Sequence, residues 1–426
     1  MTDSPAPLHP FTILFVAALL LSVGLRFWLA SRQVRHVARH RDAVPAGFAD
    51  RIGLAAHRRA ADYTIARVRL GIVETAISAA LLIAFTLLGG LQWLMQAALA
   101  VAPGSPFAAA IVFVALVVLV GAIVDLPIEA WRRFRLEQRF GFNRMTPGLF
   151  VADTLKAALV GAALGLPLLA LVLWLMRASG ELWWLWTWLA WMAFNLAVMV
   201  LFPTVIAPLF NKFEPLPEGE VRERVQALLA RCGFRSRGLF VMDGSRRSAH
   251  GNAYFTGLGK ARRIVFFDTL LARLDADEIE AVLAHELGHF RLRHIPKRIG
   301  LTFAISLAGL WLLGWLSRQP WFYQSLGLTP DPSMADAAAL VLFFLALPVF
   351  AFPLQPLLAL ASRRHEFQAD AFAAAQTDPK HLASALVKLY EDNASTLTPD
   401  PVYSAFHDSH PPAVQRIGRL SAAHAT

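Results

Sequence analysis

The sequence predicts a mainly α-helical, polytopic membrane protein in which seven transmembrane helices carry one small mixed α+β domain. Three observations predict it. Charge is scarce and confined to a few intervals, seven apolar runs reach bilayer-spanning length, and arginine clusters fall on alternate connections. Of the 426 residues, 56% are hydrophobic and only 16% charged, where a soluble protein carries about a quarter. The net charge is +10, but the arginines flank apolar spans, so they read as topology signals rather than as a nucleic-acid surface.

The seven spans lie near Phe11–Ala30, Gly71–Met95, Phe107–Leu126, Leu149–Met176, Leu182–Phe202, Ile299–Leu316 and Ala337–Leu360, each about 20 residues or more. The N-terminal MTDSPAPLHP lacks Lys and Arg. Without a basic n-region, the first run is expected to be a retained helix. Pro167 is a candidate break in the fourth span. Trp183, Trp184, Trp186, Trp188 and Trp191 suit an interfacial belt.

Orientation follows from arginine placement. Arg32, Arg35, Arg39, Arg41, Arg51, Arg58, Arg59, Arg67 and Arg69 lie between spans one and two, and Arg132, Arg133, Arg135, Arg139 and Arg144 between three and four. These connections are expected in the cytoplasm, with the N-terminus outside and the C-terminus inside. The chain then divides into residues 1–205 with spans one to five, a cytoplasmic domain at 206–297, spans six and seven at 298–360, and cytoplasmic helices at 361–426.

Within 206–297, Glu218–Arg231 reads as an amphipathic helix, with Val221, Val225, Leu228 and Leu229 on one face. Gly238–Met242, His250–Phe255 and Arg263–Phe267 read as short strands. A helix starts near Ala276, where Asp275 and Glu278 have capping-box spacing. That helix runs AVLAHELGHFRLRH. His285 and His289 are one turn apart on one face, able to reach one ion. Glu286 beside them can take a proton from an attacking water. Ile279, Val282 and Leu283 form the stripe that docks the helix. Two His, a Glu and an open position are the zincin pattern, so the domain is expected to be a zincin-type catalytic one holding Zn²⁺. The single cysteine, Cys232, makes a Cys-rich metal site or an intrachain disulfide impossible.

A third ligand is needed. The run SRRHEFQADAFAAA follows the last span and places Glu366 and Asp370 on one helical face. Glu366 is the leading candidate ligand, and Asp370 can orient a ligating His. His365 is the rival ligand, about 100° away around the helix. The plainer alternative is that Glu366 and Asp370 pair with Arg363 and Arg364 on a solvated face.

The runs AHELGHFRLRH, SRRHEFQADAFA, GNAYFTG with RIVFFDTLL, FGFNRMT, PLFNKFEPL and HPPAVQRI together resemble the CAAX prenyl protease type 1 family, from about Glu137 to Leu420. The resemblance implies seven helices around an intramembrane chamber closed by the metal domain. It implies one Zn²⁺ per chain on His285, His289 and Glu366, with Glu286 as catalytic base. Asn252 and Ala253 match the edge that binds substrate backbone, and His410 a histidine near the metal. Arg416 is expected to help at the substrate. His294 and His407 are read as supporting or surface residues. Glu74, Asp125, Glu129, Asp153 and Lys156, near or within spans, either line the chamber or pair with arginines.

The implied activity is metalloendopeptidase cleavage of a peptide or protein after a prenylated cysteine, releasing three residues. The Ala- and Arg-rich composition suggests a bacterial inner membrane, where membrane-protein quality control without prenylation is the alternative role. A transporter or scaffold with structural zinc is the reading from another class. Glu286 beside the two histidines speaks against it, because a closed structural site has no use for a base.

Overall fold

The computed structural model describes residues 9–234, 238–256 and 263–424. Seven helical segments are long and apolar enough to cross a membrane. They are built on α1 (Pro10–Arg39), α2 (Leu54–Phe85), α4 (Pro106–Trp131), α5 (Pro147–Ala178), α6 (Trp183–Leu201), α11 (His294–Leu316) and α13 (Ala335–Ala351). The second span ends earlier than expected, at Phe85, although its helix starts at Leu54. Gly89, at φ 78, ends it, and Gly90–Val101 forms a separate short helix, α3. Leu91, Leu94, Met95 and Ala98 of α3 are buried, so this piece packs at the end of the bundle. Helix α5 runs unbroken through Pro167.

Burial along the helices is uneven, and this defines the architecture. Phe15 and Leu19 of α1, Phe85 of α2, Ala109 to Val117 of α4, Leu173 and Met176 of α5, Trp183 of α6 and Leu313 of α11 join α3 and α13 in one core cluster. These positions all lie toward the same end of the bundle. Toward the other end four of the helices bury no residue. Every residue from 69 to 84 of α2, 118 to 131 of α4, 147 to 172 of α5 and 188 to 201 of α6 is at least partly exposed. A helix in a closely packed bundle buries one stripe; these helices bury none over about half their length. The spans therefore enclose an intramembrane chamber, sealed at one end by the core cluster.

Charged residues occupy these halves. Arg132 pairs with Glu74 and, at 3.1 Å, with Glu129, which also holds Arg133 at 2.8 Å. Asp153 pairs with Arg247 at 2.8 Å, and Lys156 Nζ donates to the Leu209 carbonyl at 3.2 Å. Asp125 is exposed and has no ion-pair partner among the described residues.

After the short helix α7 (Ala207–Phe210), strand β1 (Phe213–Pro215) leads into α8 (Glu220–Arg231). Strands β2 (Leu239–Met242), β3 (Ala253–Thr256) and β4 (Arg263–Phe267) complete a sheet of order β1-β2-β4-β3. The β2–β4 pair is parallel, while β1–β2 and β3–β4 are antiparallel. Strand β3 is thus an edge. Helices α9 (Asp268–Leu271) and α10 (Ala276–Arg291) follow, then the short α12 (Pro320–Gln324) between the last spans. Helix α14 (Gln355–Gln376) continues from α13, and α15 (Pro379–Asp392), α16 (Pro401–His407) and α17 (Ala413–His424) end the chain.

The expected amphipathic faces supply the second core: Val225, Leu228 and Leu229 of α8 meet Ile264 and Phe266 of β4, Ile279, Leu283 and Leu287 of α10, and Leu382 and Leu386 of α15. Helix α10 starts with the expected capping box, Asp275 accepting from Glu278 N and Glu278 from Asp275 N.

Polar side chains tie this assembly to the membrane helices. Asp400 is buried, caps α16, and accepts two hydrogen bonds from Arg32 of α1 at 3.2 and 3.0 Å. Replacing Asp400 by Ala removes a cap and one partner of this pair together, a cost of roughly 2 kcal/mol after discounting for the partly exposed Arg32. Asp400→Ala should lower the thermal midpoint of the detergent-purified protein by several degrees; an unchanged midpoint would show that the α1–α16 tie carries no stability.

Candidate metal centre

Helix α10 presents His285 and His289 one turn apart, and α14 lies against it. The approach is close because position 288 is glycine. A Cβ there would stand 3.0 Å from Ala369 Cα and 3.1 Å from Phe372 Cβ. This contact brings Glu366 of α14 opposite the two histidines.

Three donor side chains converge. His285 Nε2 and His289 Nε2 are 3.3 Å apart. Glu366 offers one oxygen 3.5 Å from the first and its other oxygen 3.5 Å from the second. Ligands on a tetrahedron at about 2.1 Å from zinc are roughly 3.4 Å from each other. Glu366 Oε2 is buried. His410 Nδ1 is 2.7 Å from that oxygen. A buried carboxylate facing two imidazole nitrogens fits a cation. His285, His289 and Glu366 are the residues that could hold a metal ion.

The side chains behind these donors are fixed. Asp370 Oδ1 lies 2.8 Å from His285 Nδ1, which aims Nε2 into the cluster. Asp370 is held in turn by Arg416, at 2.8 Å from Nε and 2.5 Å from Nη2. Sequence reasoning put Arg416 beside substrate. The structure buries it under the metal-facing side chains, its guanidinium committed to Asp370, because α17 packs against α14. The rival ligand His365 is not in the cluster; its ring stacks on His294 at 4.0 Å between centroids. His407 stacks on Tyr403 instead.

Glu286 is partly open to the site yet surrounded by protein atoms. It has no hydrogen bond or ion pair among the described residues, and burial pushes its carboxyl up, with Glu366 adding to the rise against His285. Burial opposes the charged form of His285, but the Asp370 and Glu366 carboxylates outweigh it and hold the ring near about 9. His289, buried beside His285, falls to about 4.

Asn252 is exposed and precedes β3; its Oδ1 accepts from Ala253 N at 2.8 Å. The loop before it is bound to α5 and to the connection leading into it, since Arg247 holds Asp153 and Ala249 N donates to the Phe142 carbonyl at 3.1 Å. Sequence reasoning missed this role of Arg247. Tyr63 was missed too; its hydroxyl donates to Glu137 at 2.6 Å, and Glu137 stands 3.7 Å from His250.

A helical membrane protein with an H-E-x-x-H helix facing a carboxylate defines a membrane metalloprotease. Residues 33–212 match the family model described as CAAX prenyl protease N-terminal, five membrane helices, and residues 215–424 match peptidase family M48. The chain belongs to this family, with the CAAX prenyl protease 1 homologues. The Oryza sativa subsp. japonica homologue is 39% identical over 316 residues, 72% of each chain. The Saccharomyces cerevisiae CAAX prenyl protease 1 is 36% identical, covering 74% of this chain and 73% of its own. The crystal structure of S. mikatae Ste24p superposes with a TM-score of 0.91 at 30% identity, covering 97% of this chain and all of that one. The chain is therefore a metalloendopeptidase with a metal cofactor, integral to a membrane.

Gly288 gives the test of this packing. Gly288→Val should wedge α10 from α14 and cost about 1–3 kcal/mol, and should lower zinc content by separating Glu366 from the histidines. Gly300→Ala, where an added Cβ meets nothing within 4 Å, should leave both unchanged. Equal zinc content in the two variants would contradict the packing argument.

Proposed function

We propose that one zinc ion per chain is held by His285, His289 and Glu366, and that Glu286 is the general base for peptide-bond hydrolysis. The observation that carries this reading is the convergence of two imidazoles and one carboxylate, with contacts of 3.3 to 3.5 Å, beside a second carboxylate free of partners among the described residues. Bound zinc would supply Lewis acidity, polarising the scissile carbonyl and making the attacking water acidic.

Glu286 takes the proton of that water and passes it to the leaving amine. Its raised proton affinity suits both transfers. Asp370, fixed by Arg416, keeps a proton on His285 Nδ1 and a lone pair on Nε2. His410 is exposed next to Glu366 and can donate to the developing oxyanion. The substrate lies extended along the open edge of β3, hydrogen-bonded at Asn252 and Ala253 as an added strand. Arg247 and its Asp153 partner hold this edge against the chamber.

The relatives, which are CAAX prenyl proteases by name, support the substrate class. The proposed reaction removes three residues after a prenylated cysteine, with the isoprenoid in the apolar chamber. The arginine-rich connections support a cytoplasmic site and C-terminus with the N-terminus outside, and the composition supports a bacterial inner membrane.

Glu286→Gln should retain about one zinc per chain and lose roughly 10³-fold in turnover; undiminished turnover would sink the protease mechanism. Glu366→Ala should lose zinc. Mass analysis of a farnesylated peptide and its unmodified twin after incubation tests the substrate. Cleavage of the farnesylated peptide alone, after its cysteine, is expected; equal cleavage of both would indicate a prenyl-independent protease.

A further inference from the structure

His285 receives its orientation from Asp370, but among the described residues His289 has no carboxylate at its Nδ1. Its Nδ1 meets another imidazole: His294 Nδ1 is 3.0 Å away. Two ring nitrogens at that distance share one proton, so one of them must carry a lone pair. The far side of His294 decides which. His294 Nε2 lies 2.9 Å from Gln368 Oε1, an acceptor, so Nε2 carries the proton. In the neutral ring Nδ1 is then the acceptor, His289 Nδ1–H donates to it, and the lone pair of His289 is left on Nε2. That is the atom facing His285 Nε2 and Glu366.

The local backbone is shaped for this contact. Arg293, between α10 and α11, adopts φ 58, the left-handed region that a non-glycine residue rarely occupies. The turn it makes brings the first residue of α11 back against α10. The His294 ring crosses that of His289 at 72° and is clamped flat on His365, 12° from parallel. Its own side chain is buried. His365 and Gln368 sit on α14, with Glu366 and Asp370.

We propose that Gln368 and His294 are positioning residues that set the tautomer of His289, as Asp370 does for His285. The proposal rests on the metal-site reading above. Helix α14 then provides a ligand and both orienting chains: Asp370 to His285, and Gln368 through His294 to His289.

The test is zinc affinity of the full-length protein in detergent, measured by competition with a chelator of known affinity, with the thermal midpoint recorded alongside. Gln368→Met removes the acceptor at an exposed position and should weaken zinc binding about 10-fold or more without moving the midpoint. His294→Phe keeps a ring to stack on His365 and should weaken it similarly. Gln368→Glu keeps an acceptor oxygen and should stay within about twofold of the natural protein. Natural affinity in both Gln368→Met and His294→Phe would overturn the proposal, as would an equal loss in Gln368→Glu and Gln368→Met. His285→Ala separates the two claims: if it binds zinc as tightly as the natural protein, the metal-site reading itself fails.

Discussion

The close contact of α10 with α14 is the constraint on which the site depends. Neither helix makes a metal centre alone. Helix α10 brings two imidazoles and the free Glu286 carboxylate; α14 brings the anionic oxygen and the groups that orient the imidazoles. They meet at backbone distance because position 288 has no side chain. Since α14 continues from the membrane helix α13, the contact also fixes the site to the mouth of the chamber.

The buried charges around this contact hold together only as a set. Glu366, Asp370, Arg416 and His285 are all buried, and an isolated buried ion is costly. Arg416 meets Asp370 with two hydrogen bonds, and Asp370 meets His285. Glu366 faces His285 and His289, with His410 at 2.7 Å from one of its oxygens. The charge balance therefore directs the remaining attraction at one point, between the carboxylate and two imidazole nitrogens.

Much of this was legible in the sequence, for identifiable reasons. Span number follows from a length that the bilayer imposes, and the His285–His289 pair follows from helical period. Glu366 and Asp370 could be found because they too are one turn apart. What could not be read depends on tertiary packing. Gly288 is one glycine among 26, and only the opposing Ala369 gives it meaning. Arg416 looked like a substrate residue because its position in the chain says nothing of which way it faces. His365 looked like a rival ligand because it adjoins Glu366, whereas α14 turns it onto His294. The end of α2 was overrun because apolar content continues through Gly89 and Gly90 into α3. The edge strand was expected from His250 and begins at Ala253, since His250 is held instead by contacts to the side chains of Asn393 and Thr269.

The central claim is that α10 and α14 together hold one zinc ion in an open site. X-ray absorption and anomalous diffraction on the zinc-loaded protein test it most directly. The account predicts one ion on His285 Nε2, His289 Nε2 and Glu366, at about 2.0–2.2 Å, with a non-protein atom completing the coordination. An ion on a closed set of four protein ligands, or one that excludes Glu366, would contradict it.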